Sequence, residues 1–358
     1  MHICIIAPPW LPVPAPAYGG TEAMLDQLAR GLCDAGHHVR LIGHPDSTCP
    51  VERRSVVPAS DVEPMGRGIV ELEHVVGAYE MARDADVVHD HTTAGPLYAH
   101  RFSRLTVVTT NHGPFDRSAN ALYGAMVPRV GVVAISASQA STTDVPLDAI
   151  VPHGVAIDGF PFGDGRGGYV AFLGRMAPEK GAHRAIAAAR AAGIPIVLAA
   201  KMREPGEIAY FEEFVRPELG PEVTYLGEID AVAKLDLLAG AAALVNPISW
   251  PEPFGMVMLE ALACGTPVVG FPYGAAPEIV EHGVSGLLVR NDEQLTRALG
   301  SLDRLDRAAC RERARVFSVE RMTNGYLRVF YRRRRRPAAL PASVANRRGS
   351  LETVASAL

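Results

Sequence analysis

The chain has 358 residues, 48% of them apolar and 21% charged, with a formal net charge of −4. Such a length exceeds one small core and, at about 150 residues per domain, predicts two domains. The weak negative charge gives nucleic acid no footing, and Cys4, Cys33, Cys49, Cys264 and Cys310, scattered without a C-x-x-C pair, fit neither a zinc site nor a disulfide framework.

The chain opens with the strand His2–Ala7, which stops at Pro8-Pro9 and is too short for a signal core. A helix over Glu22–Ala35 follows, with Gly36 as its stop, and then the strand His38–His44. Further strands are expected at 86–91 (DVVHDH), 105–112 (LTVVTTNH), 131–136 (GVVAIS) and 149–154 (AIVPHG). Their Val and Ile run continuously instead of alternating, as in parallel strands buried on both faces. The stretch between Pro152 and Gly168, rich in Gly and Pro, reads as a linker. The pattern then restarts with strands at 169–174, 195–200, 222–227, 242–248, 266–271 and 286–289 and helices at Gly181–Ala192 and Val232–Ala239. The reading is therefore two Rossmann-like, doubly wound parallel-sheet domains, 1–155 and 156–313, with a ligand cleft between the carboxyl ends of their strands. Residues 314–335 form a closing helix that returns to the first domain. Five arginines, Arg332 to Arg336, precede a tail expected to be disordered over 336–358, because like charges repel and little remains to be buried. A solvated tail is the plain reading of that run; peripheral contact with anionic lipid at the inner face of the membrane is the alternative. No run reaches the roughly 18 apolar residues of a membrane span, and the scattered cysteines lead to the expectation of a reducing, cytoplasmic setting.

Several apparent motifs fail on context. Gly163, Gly165 and Gly168 satisfy G-x-G-x-x-G but precede their strand, where a dinucleotide fingerprint follows one. Asp84-Ala85-Asp86 opens a strand, whereas a metal-carrying D-x-D closes one. His89 and His91 share a strand face, yet no third ligand is evident, so no metal is assigned.

Three stretches stand where chemistry belongs. Tyr18-Gly19-Gly20-Thr21-Glu22 lies between the first strand and its helix, with Thr21 as a candidate N-cap and the glycines opening backbone N–H groups to an anion. Gly174-Arg175, with Glu179-Lys180-Gly181, follows the first strand of the second domain; Arg175 and Lys180 are suited to a diphosphate. In Trp250-Pro251-Glu252-Pro253-Phe254-Gly255 the prolines forbid a helix, so Glu252 sits in a loop. A helix starts near Gly255, offering the N–H groups of Gly255, Met256 and Val257, and carries Glu260. Two carboxylates flanking an anion site suit a ligand with hydroxyls on both sides of a phosphate, as in a nucleotide sugar.

Glu252-Pro253-Phe254-Gly255 with Glu260-Ala261 and Gly265-Thr266-Pro267-Val268-Val269 resembles the E-x7-E signature of family 4 retaining glycosyltransferases of the GT-B fold. Gly174-Arg175 with Glu179-Lys180-Gly181 resembles their phosphate segment, and Gly19-Gly20 their glycine loop; the pattern spans roughly residues 1 to 330. The resemblance implies that Glu252 holds donor-sugar hydroxyls and Glu260 the ribose. It implies that Arg175, Lys180 and the N–H groups after Phe254 take the diphosphate, and that His112 reaches the donor sugar from the first domain. It also implies a hexosyltransferase needing no metal and no cofactor, with a nucleotide-diphosphate sugar as donor, UDP before GDP, and a saccharide, lipid or small metabolite as acceptor. A non-catalytic nucleotide-sugar binder, or another GT-B enzyme such as an epimerase, is the alternative. Pro152-His153-Gly154-Val155-Ala156 departs from the family's P-N-G-V-D at His153 and Ala156.

Overall fold

The computed structural model describes residues 1–17, 19–59 and 66–335. Among the described residues thirteen strands form two sheets. The first sheet holds β1 (His2–Ile6), β2 (His38–Ile42), β3 (Glu52–Arg54), β4 (Val87–Asp90), β5 (Thr106–Thr110), β6 (Gly131–Ala134) and β7 (Ala149–Ile150). The second holds β8 (Val170–Arg175), β9 (Ile196–Lys201), β10 (Val223–Tyr225), β11 (Leu244–Asn246), β12 (Val268–Gly270) and β13 (Gly286–Leu288). The orders are β3-β2-β1-β4-β5-β6-β7 and β10-β9-β8-β11-β12-β13, and the paired strands are parallel throughout. Each order reverses once, beside β1 and beside β8, and that reversal opens a crevice at the carboxyl ends of the strands.

Alternation within the buried strands supplies the two layers. Ile3 and Ile5 of β1 pack with Leu25, Leu28 and Leu41 on one face, while Cys4 and Ile6 join Val75, Tyr79 and Val107 on the other. In the second domain Val170 and Phe172 pack with Ile186 and Leu198. Strand β3 was not foreseen, since Glu52-Arg53-Arg54 carries no apolar run; its ladder comes from backbone pairing with β2 at the sheet edge.

The helix Gly20–Asp34 begins two residues before the expected Glu22, and Gly19, with no side-chain cap, replaces Thr21 as its N-cap. The linker is ordered against the second domain: Gly163 N donates to Cys264 O, and Gly167 N to Gly240 O at 2.9 Å. The chain crosses between the domains twice, side by side, where Val155 pairs with Ser318 and Val155 N donates to Phe317 O at 3.0 Å.

After the second crossing the helix Val319–Arg335 returns to the first domain, burying Met322, Tyr326, Val329 and Phe330 in the cluster around β1 and the helix Gly20–Asp34. The two helices approach so closely at Gly31 that a Cβ there would lie 2.3 Å from Thr323 Oγ1. Arg332 to Arg335 are the last residues of this helix, within the closing helix expected over 314–335. The expected repulsion is neutralised within the fold: Arg333 pairs with Asp148 and donates to the carbonyls of Pro128 and Val130, and Arg334 pairs with Asp86 at 2.8 Å. The expectation for 336–358, including Arg336, lies outside the described residues, as does Tyr18. No helix among the described residues is long and apolar enough to cross a membrane.

Candidate active site

The carboxyl ends of β1, β4 and β5 face those of β8, β9 and β11 across a cleft of about 620 Å³. The first domain lines it with Trp10, Gly19, Gly20, Glu22, His91, His112 and His153, and the second with Lys180, Lys201, Lys234, Asn246, Trp250, Glu252, Phe254 to Val257 and Glu260.

The signature stretch is shaped by its prolines and glycines. Pro251 and Pro253 keep Glu252 extended, Glu252 N donates to Trp250 O, and Ala275 N donates to Glu252 O at 2.9 Å. The helix Met256–Ala263 then starts at Gly255, which has φ 94°, a left-handed conformation glycine takes readily. Gly274, also left-handed at φ 58°, lies flat against the Glu252 backbone, and a Cβ there would fall 2.2 Å from Glu252 O and 2.3 Å from its N. Gly274→Ala is therefore expected to push the Glu252 loop outward, with a loss of about 1–3 kcal/mol in stability and a larger fractional loss of turnover. Denaturant unfolding and steady-state rates on the same preparation check this, and unchanged values in both would contradict the contact.

The charges in the cleft are paired. Lys180 Nζ bonds Glu252 Oε2, the oxygen that also accepts from Trp250 Nε1 at 2.8 Å, and the ammonium lies 5.2 Å from the centre of the Trp250 ring. Lys234 Nζ bonds Glu260 Oε1, and Glu260 is otherwise buried. Arg175 stands apart: it donates to Glu179 at 2.6 Å and to Glu207 at 3.3 Å, and the cleft wall among the described residues does not include it. At the first-domain helix, burial raises the Glu22 carboxyl above its usual range, partly offset by its own backbone N–H and by Lys201. The turn expected to receive an anion from outside thus already holds a carboxyl group, against the N–H of Glu22 itself.

Sequence reasoning missed a column of histidines. His89 and His91 have ring centres 4.0 Å apart, His91 Nδ1 lies 2.8 Å from His112 Nε2, His112 stacks on His153 at 5.3 Å, and His153 meets Phe254 at 4.9 Å. Burial lowers them all: His112 to about 4, His89 to about 3, and His91 and His153 well below the usual imidazole range, with neighbouring imidazoles adding to the last three. Each ring is therefore neutral near pH 7, and the His91 bond holds the His112 plane. The sequence signals were separate ones: His89 and His91 sharing a strand face, and His153 standing where the family motif has Asn. Lys201 and Lys234 were also missed; the first ends a strand, and the second reaches Glu260 from another helix.

Contacts across the cleft hold the halves in register. Ser136 Oγ donates to Pro253 O at 2.6 Å, and the Glu278 carboxylate accepts from the N–H groups of Ala137 and Ser138 at 2.8 and 2.7 Å. A Cβ built on Gly20 would sit 3.7 Å from the Met256 side chain.

Residues 18–156 match the family model described as Glycosyltransferase Family 4, and residues 167–303 the one described as Glycosyl transferases group 1. The D-inositol 3-phosphate glycosyltransferases of Mycobacterium tuberculosis (strain ATCC 25618 / H37Rv) and Mycobacterium bovis (strain ATCC BAA-935 / AF2122/97) are each 36% identical over 214 residues, covering 52% of this chain and 44% of theirs. The chain thus matches under half the length of these curated relatives. Among solved structures, AviGT4, a glycosyltransferase involved in avilamycin A biosynthesis, aligns with TM-score 0.70 and 27% identity over 92% of this chain and 97% of that one. Sucrose-phosphate synthase from Thermosynechococcus elongatus aligns with TM-score 0.76 and 22% identity, over 92% and 98% of the two chains, a likeness of fold.

Proposed function

The chain belongs to glycosyltransferase family 4, with the GT-B fold, and from that premise we propose that it moves a hexose from a nucleotide-diphosphate sugar, UDP-linked before GDP-linked, to an acceptor hydroxyl. The anomeric configuration is retained and no divalent ion takes part. The observation that carries this reading is the meeting of Lys180, Glu252 and the N-terminus of the helix Met256–Ala263 in one cleft between two strand-end surfaces.

On this reading the diphosphate lies against the free N–H groups of the signature helix, with Lys180 and Arg175 as its cations. Arg175 joins by exchanging Glu179 for phosphate. Glu260 takes the ribose hydroxyls, and Glu252 those of the sugar. Gly19 and Gly20 leave room for the donor beneath the first helix, and His112, a neutral ring fixed by His91, meets the sugar from the opposite wall. The bond between the anomeric carbon and the phosphate oxygen breaks as the acceptor oxygen attacks from the same face. The acceptor proton passes to the departing phosphate oxygen, and Lys180 neutralises the charge that remains. Cationic side chains and backbone dipoles aimed at a departing phosphate do the electrostatic work a metal does elsewhere. The acceptor enters over Trp10, Leu11 and Pro14 on the first-domain side.

A panel of UDP- and GDP-sugars, offered with D-inositol 3-phosphate, simple saccharides and lipid acceptors and without added magnesium or manganese, tests the reading. Release of nucleoside diphosphate with formation of the α-linked product from an α-linked donor is expected. No turnover of any donor, or turnover only on addition of a divalent ion, would overturn the corresponding part of it.

A further inference from the structure

A second cluster of ligating side chains lies at the opposite end of the first sheet from the cleft. His2 opens β1 and stands directly across from His38, which opens β2; Glu52 opens β3 across from Arg40, two residues beyond His38 on the same strand face. Parallel pairing in this register brings two imidazoles and a carboxylate together on one face of the sheet edge. One ligating atom from each lies within 4.8 Å of the other two, and no other trio of His, Cys, Asp or Glu among the described residues converges in this way, the histidine column included. The His2 and His38 rings meet edge to face at 4.7 Å, and His38 Nε2 is 3.6 Å from Glu52 Oε2.

The two nitrogens of His2 have different surroundings. Its Nδ1 lies 3.3 Å from the carbonyl oxygen of Asp84 and 3.6 Å from that residue's carboxylate, while its Nε2 is buried with no hydrogen-bond partner. A histidine held through one nitrogen by a backbone carbonyl and left unpartnered at the other is arranged as metal-binding histidines are.

We propose that His2, His38 and Glu52 bind one divalent cation of the zinc class, with Asp84 orienting His2. Two imidazoles, one carboxylate and a water complete the four-coordinate set such ions take, and the nitrogen donors discriminate against magnesium and calcium, which prefer oxygen. Arg40 and Arg54 hold Glu52 Oε1 at 2.9 and 3.1 Å, which leaves Oε2 for the ion and moderates the affinity. Strand β1 separates this site from the cleft by about 15 Å, so the ion takes no part in catalysis. It staples the short edge strand β3 to the centre of the sheet.

The test is calorimetric titration of the tag-free full chain with zinc chloride, repeated with magnesium chloride and with two variants. One zinc per chain is expected, with no magnesium binding. His38→Ala, whose side chain is 62% exposed and outside the core, is expected to weaken zinc at least tenfold, and Glu52→Ala, which removes the carboxylate ligand, by a similar factor. Absence of zinc binding to the wild-type chain, or an affinity unchanged in His38→Ala, would overturn the proposal. Neither measurement depends on transferase activity, so the result stands apart from the reading of the cleft.

Discussion

Replacing Lys180 with alanine is expected to lower kcat by about 10²–10³-fold, the usual loss when one group that stabilises a developing oxyanion is removed. Lys180 stands beside the signature helix, where it bonds Glu252 and lies over the Trp250 ring. Removing it takes a charge from the departing phosphate. It also leaves the Glu252 carboxylate with only the indole N–H among its two present side-chain partners. Lys180→Arg is expected to recover only part of the rate, because a planar fork does not reproduce a point charge in this position. Arg175→Ala is the informative comparison. Its guanidinium is already occupied by Glu179 and Glu207, so part of what it offers phosphate is lost in leaving them, and a smaller fall than in Lys180→Ala is expected. Steady-state kinetics on the three variants, with circular dichroism to confirm folding, measure this order. A Lys180→Ala enzyme within about threefold of wild type would remove the lysine from the diphosphate site.

Acid should unfold the protein steeply. His89, His91 and His153 are buried, His112 is half-buried at the cleft wall, and all four are shifted toward the neutral form; His74, buried with its Nε2 at 2.9 Å from Ala7 O, is lowered to about 4, burial outweighing that bond. In the unfolded chain these rings titrate near the ordinary value of about 6.5. Above that pH both states carry neutral imidazoles and the full stability is present. Below it the unfolded chain takes up protons that the folded chain refuses until about pH 4, so stability falls throughout that window. Each ring contributes about 1.4 kcal/mol per pH unit. The five rings shift in the same direction, so their losses reinforce one another as the pH falls. Urea midpoints at pH 7.5, 6.5, 5.5 and 4.5 should decline progressively below 6.5, and a flat series would show that the column accepts protons without unfolding.

How much of this could be read from residues alone follows from what each feature depends on. The two sheets were legible because buried parallel strands need continuous apolar runs such as Ile3-Cys4-Ile5-Ile6, and the order of helices and strands then leaves few topologies. The signature loop was legible because prolines at 251 and 253 exclude helix on chemical grounds. Edge strand β3 was not, since its side chains are charged and only backbone pairing makes it a strand. Nor was the histidine column, for His89, His112 and His153 come from separate segments that meet only after folding. The partners of the arginine run were hidden for the same reason: Asp148 and Asp86, which pair with Arg333 and Arg334, are far away in sequence. The pairing of Arg175 with Glu207 likewise depends on a helix that the local pattern does not place beside it.

The double passage of the chain at Val155 and Ser318 bears on how the cleft can open. Glycine at 154 lets the two passing segments touch, a Cβ there falling 2.4 Å from Ser318 O. Joined ribbons of this kind bend about a common line but resist sliding and twisting. The two lobes should therefore swing like a book about its spine, and each return stroke would deliver the neutral imidazoles of one page to the same spot on the other.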